Sequence, residues 1–155
     1  MKKYLIALLT LCGGLTSCGD TAENIHYHFR NDMMYFIDNV PVDGVIPHLT
    51  KTRVKAGNTL EFYVFRNMFD TGKYARQTAE IVVETELSTA VEGVDFTLSD
   101  KKLVFPKSDV VELPVTLTTD AAAAGKTVVL RLHYAYRDIC PLENRKADIL
   151  TVSIE

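Results

Sequence analysis

Apolar and polar residues alternate with a period of two through most of the chain beyond residue 32. Between Val111 and Thr118, the residues Val111, Leu113, Val115 and Leu117 fall on one side, with Glu112, Thr116 and Thr118 on the other. That alternation predicts a half-buried strand. Pro114 lies on its polar side and has no N–H to give a ladder, which predicts an edge position or a bulge. Thr127 to Tyr136 repeats the pattern: Val128, Leu130, Leu132, Tyr134 and Tyr136 share one face, while Val129, Arg131, His133 and Ala135 share the other. Ala79, Ile81 and Val83 alternate with Glu80, Val82 and Glu84, and Leu150, Val152 and Ile154 close the chain in the same way. Leu60 to Phe65 is almost continuously apolar around Glu61, as a more deeply buried strand would be. Met33 to Ile37, Lys102 to Phe105 and Leu49 to Val54 are shorter candidates.

Turn chemistry separates these runs at strand-like intervals: Asp43-Gly44, Gly57-Asn58, Gly72, Glu92-Gly93, Pro106 to Asp109, and Gly125. No long stretch keeps a helical period. Ala121 to Ala124 favours helix, but Asp120 before it and Gly125 after it limit it to about one turn. About seven or eight short strands without helices predict an all-β fold, a single antiparallel immunoglobulin-like β-sandwich. No repeat or low-complexity block marks a second domain.

The first 17 residues break the pattern. Lys2 and Lys3 precede the apolar run Tyr4 to Leu11, and small residues follow. This is the layout of a signal peptide, with an apolar run too short to span a bilayer. Leu15-Thr16-Ser17-Cys18 resembles the lipobox of bacterial lipoproteins, in which the chain is cut before a lipidated Cys. The rival is an ordinary secretory signal with a chance Cys. The resemblance implies a leader at 1–17, a lipidated Cys18 heading a tether at 18–31, and the sandwich at 32–155. It also implies membrane attachment, since each buried lipid methylene contributes about 0.8 kcal/mol and two or three acyl chains hold firmly. Asp20 and Glu23 are a thin version of the acidic signal that sends some Bacteroidota-type lipoproteins to the cell surface. The expected location is the outer membrane, facing either the cell surface or the periplasm.

Charge and cysteine content follow from that cut. Of 155 residues, loss of 17 leaves 138, and loss of Lys2 and Lys3 leaves 15 basic against 20 acidic side chains, a net −5. No Lys/Arg-rich run occurs beyond pairs such as Lys101-Lys102 and Arg145-Lys146, so nucleic acid is disfavoured as a partner. Cys12 leaves with the leader and Cys18 takes lipid, so Cys140 has no partner for an intrachain disulfide. The fold must rest on its apolar core, and Cys140 reads as a small inert hydrophobe.

Residues Ala79 to Leu132 resemble a Calx-beta-type domain, an immunoglobulin-like sandwich. The resemblance runs through the strand Ala79 to Thr85 and then Thr89-Ala90-Val91-Glu92-Gly93-Val94-Asp95-Phe96, close to the T-A-x-x-G-x-D-[FY] turn of such domains. It continues through Leu103 to Pro106, the strand Val111 to Leu117, Asp120, and the strand Val128 to Leu132. Behind a lipobox and an early strand at Met34-Tyr35-Phe36, this order is similar to a family of Bacteroidota lipoproteins of unknown function. The turn residues have physical roles of their own: Gly93 for positive φ, Asp95 to cap turn amides, and Phe96 to plug the end of the sandwich. The resemblance also implies a calcium site of clustered carboxylates at one end, for which Glu84, Glu86, Glu92, Asp95 and Asp120 are the candidates. Ala121 to Ala124 replace the acidic run that calcium-binding members carry after the matching strand. Solvated carboxylates and turn caps are the alternative.

Other constellations carry less chemistry. His26 and His28 would share a strand face and could give two zinc ligands, but no Cys or third His lies near them in sequence. Arg66, Phe69, Tyr74 and Arg76 decorate the stretch between two strands and form a candidate contact loop for a protein or a glycan. The alternative is a hairpin whose aromatics fold back on the core. No nucleophile elbow, H-E-x-x-H helix or phosphate-cradling glycine loop is present. The sequence therefore points to a lipid-anchored, non-catalytic binding or assembly module without a required cofactor. The rivals are a glycan-binding accessory protein of a polysaccharide-uptake system and an enzyme whose site is not visible in sequence.

Overall fold

The computed structural model describes residues 34–38, 48–66, 76–106, 110–134 and 147–155. Nine strands form among them: β1 (Met34–Ile37), β2 (Lys51–Val54), β3 (Thr59–Arg66), β4 (Gln77–Val83), β5 (Phe96–Leu98), β6 (Lys102–Phe105), β7 (Glu112–Thr119), β8 (Thr127–Tyr134) and β9 (Ile149–Ile154). They pair into a four-stranded sheet, β1-β3-β7-β5, and a five-stranded sheet, β2-β9-β8-β4-β6. The first has the A-B-E-D order of an immunoglobulin-like sandwich, and β9-β8-β4 has its G-F-C order. The expected fold class holds, with one departure in direction: β2 runs parallel to β9, while the other pairs are antiparallel.

The alternation read from the sequence decides what is buried. Val115 and Leu117 of β7, Val128, Leu130 and Leu132 of β8, Ala79 and Ile81 of β4, and Leu150, Val152 and Ile154 of β9 all face one core between the sheets. Phe36 and Phe62 meet edge-on in it, with ring centroids 5.7 Å apart. Burying each of the valine, leucine, isoleucine and phenylalanine side chains contributes about 1.5–3 kcal/mol, and together these gains are the main force set against chain entropy. β3 is deeply buried only in its second half: Phe62, Val64, Phe65 and Arg66 are buried, whereas Thr59 and Glu61 are exposed. That half is covered on its outer face too, where Phe65 joins Tyr35, Ile37 and Ala147 in a second apolar cluster.

Pro114 shows how its strand meets two environments. It lies opposite Tyr63 of β3, so β7 is not an edge strand on that side. Thr116 N donates to Ser99 Oγ at 3.0 Å, so the nitrogens at 114 and 116 both point away from β3. β5 pairs only with Leu117 to Thr119, and Pro114 lies past its end. The missing donor therefore falls where β7 has no partner strand among the described residues, a position that tolerates proline.

Candidate functional site

The end of the sandwich that joins β4 to β5 and β7 to β8 carries the carboxylates expected to bind calcium. The 84–95 connection is pinned to the start of β8. Thr89 N and Ala90 N donate to Thr127 O at 2.9 and 3.1 Å. In return, Thr127 N donates to Thr89 Oγ1 at 2.8 Å and Val129 N to Ser88 Oγ at 2.9 Å. Gly93 takes φ +80°, which a side chain would resist, and its N–H donates to Phe96 O at 2.8 Å. Phe96 is buried in the core, as the plug role required.

Asp95 is the keystone of this end, with only 4 % of its surface exposed. Its Oδ2 accepts the Val91 N–H at 2.8 Å and its Oδ1 accepts Lys126 Nζ at 2.6 Å. Lys126, helped by the Val91 amide and opposed by burial, holds the Asp95 carboxyl below the usual carboxylate range. Asp120 caps the single 3-10 turn Ala121–Ala123, its Oδ1 accepting the Ala122 N–H at 2.8 Å. Glu84 pairs with Arg131, and Glu92 pairs with Lys101 at 2.9 Å. Each of these four carboxylates thus has a cation or an amide of its own, and Glu86 is exposed. Among the described residues, no three His, Cys, Asp or Glu side chains gather as metal ligands would. The arrangement suits rigid turns.

The candidate contact loop divides differently. Arg66, expected to reach toward a partner, is fully buried instead. Its Nε donates to Val110 O at 2.8 Å and its Nη2 to Pro106 O at 3.0 Å, and the guanidinium stands 4.9 Å from the Phe105 ring centroid. Burial lowers its pKa from the ordinary arginine value. It serves as an internal tie between β3 and the β6–β7 connection, not as a contact. Arg76 is exposed just ahead of β4. Phe69 and Tyr74 lie outside the described residues, as do Cys18, His26, His28 and Cys140. His133 is exposed, and His48 stacks on Tyr35 with centroids 4.4 Å apart, its pKa lowered by burial.

Three side chains that the sequence pattern did not single out are prominent in the fold. Leu87, Val91 and Val94 are 60, 56 and 70 % exposed, and all belong to the 84–95 connection. The signal was present in the turn pattern: Ala90, Asp95 and Phe96 must face inward, so Val91 and Val94 between them face water. A groove of about 260 Å³ opens beside Val94, lined also by Gly93, Phe96, Thr97, Thr118, Thr119 and Asp120. A larger one, of about 460 Å³, runs over β4, β6 and β8, where Lys102, Glu80 and His133 stand in a cross-strand row beside Val104.

No family model and no curated protein matches the chain. Among solved structures, it is similar to the third cohesin ScaC of Acetivibrio cellulolyticus, solved in complex with the ScaB dockerin. The two are 10 % identical, the match covers 79 % of this chain and 99 % of that one, and the TM-score is 0.43. This is a distant likeness of form.

Proposed function

We propose that the protein is a lipid-anchored, non-catalytic binding or assembly module of the bacterial outer membrane. The observation that carries the reading is the use made of its polar groups. Glu84, Glu92, Asp95 and Asp120, the residues best placed to form a reactive or metal-binding cluster, each hold a turn or an ion pair. The result is a rigid two-sheet body that presents preformed loops, a scaffold suited to recognition. The order of Lys2-Lys3, the apolar run and Leu15 to Cys18 supports the anchor. Lipid at Cys18 would confine the body to a surface, and residues 18–31 would give its loops reach.

Expression in a bacterial host fed a clickable palmitate analogue tests the anchor. The wild-type chain should take the label and sediment with membranes, and Cys18→Ala should lose the label and move to the soluble fraction. A Cys18→Ala chain that stays on membranes removes the anchor from this reading.

A further inference from the structure

We infer that the connection between β4 and β5 is a preformed docking surface for a protein segment whose apolar side chains are flanked by lysine or arginine. The inference deepens the binding-module reading and depends on it. Leu87, Val91 and Val94 face water from a segment that cannot collapse to hide them. The Asp95–Val91 and Asp95–Lys126 bonds, with the Thr89 and Ser88 bonds to β8, fix its backbone. A partner would therefore meet exposed apolar side chains with little ordering left to do, the condition under which a small contact binds well. Single apolar side chains scattered over a surface are ordinary, whereas these three share one held connection.

The chemistry of the partner is set by the surroundings of these side chains. Val94 and Phe96 give the adjoining groove an apolar wall, and Thr97, Thr118 and Asp120 give it a polar one. Two lysines of this end are engaged, Lys101 by Glu92 and Lys126 by Asp95. Asp120 has only its capping bond to Ala122, so its carboxylate charge is not neutralised by an ion pair in the described structure. An apolar side chain seated against Val94, with a Lys or Arg beside it reaching Asp120, satisfies both walls. Position argues for a protein and against the anchoring bilayer. Met34, the first described residue, pairs with Arg66 at the opposite end of the sandwich.

Selection of a random peptide library displayed on phage against the full chain tests this. Enriched peptides should pair an apolar residue with Lys or Arg. A synthetic copy should bind at least tenfold more weakly to Val94→Ser and to Asp120→Asn, and less tightly as salt rises. Neither change threatens folding, since Val94 is exposed and Asn caps as well as Asp; circular dichroism of both variants checks it. The inference is overturned if no peptide is enriched, if the enriched peptides lack basic residues, or if both variants bind undiminished. Peptides that bind elsewhere overturn this surface and leave the binding module standing, whereas chemical turnover of a bound ligand overturns the module itself.

Discussion

The two ends of the sandwich each bury a charge of opposite sign, and the partners described for the two charges differ in kind. At the β4–β5 end, Asp95 has a true counter-ion, Lys126, whose own side chain still reaches water. At the other end, Arg66 is wholly enclosed, and its partners include the dipoles of the Val110 and Pro106 carbonyls and the face of the Phe105 ring. The comparison separates two ways of holding a loop. An ion pair near the surface depends on pH and salt. A guanidinium fork bound to carbonyls depends on neither, because arginine keeps its proton throughout the useful range.

Removing each anchor tests that contrast, and the largest effect is expected at Arg66. Arg66→Ala removes the donor to the Val110 and Pro106 carbonyls and leaves a cavity against Phe105, and should cost about 3 kcal/mol or more in chemical denaturation. Arg66→Lys should recover only part of it, since one ammonium cannot span both carbonyl acceptors as the planar fork does. A smaller effect is expected from Asp95→Asn, and it should vary with pH. The folded-state pKa of Asp95 is depressed, so its contribution is complete above the ordinary carboxylate pKa and fades as pH falls toward the lower folded value. The midpoint gap between wild type and Asp95→Asn should therefore be widest near pH 7 and narrow toward pH 3; a gap that widens in acid would refute the ion-pair account. The smallest effect belongs to Arg53→Ala. Its partner Glu155, 3.0 Å away, is exposed with it, and the pair should be worth less than about 1 kcal/mol and vanish in molar salt. Should Arg53→Ala match Arg66→Ala, burial would not be what sets the scale.

The same two ends differ in how far the sequence revealed them. The Gly93 turn, the bond of Asp95 to Val91 and the cap that Asp120 gives Ala122 all act over a few positions, so local turn patterns were enough to place them. Lys126 was missed because it meets Asp95 only after the chain has gone out along β5 and returned along β7. Arg66 was misread for a related reason. An arginine that closes an apolar run, ahead of a polar and aromatic stretch, looks solvent-facing, and its acceptors Pro106 and Val110 lie 40 and 44 residues away. Strand faces were legible because period two is a local property. Strand neighbours were not: nothing in β7 alone tells that Pro114 looks past the end of β5. The exposed Val91 and Val94 sat in plain view within the turn pattern, and they emerge only when its inward-facing residues are subtracted.

The parallel pairing of β2 with β9 has a consequence for how this molecule comes into being. Lys51 must find Thr151, a hundred positions later, and β9 has to slot between β2 and β8. During synthesis, the first of these strands waits with an open edge until nearly everything else described has emerged. Contacts of such long range make for slow maturation. Throughout that interval, the nascent polypeptide exposes a strand that any chaperone or stray β-segment could capture before its proper neighbour arrives.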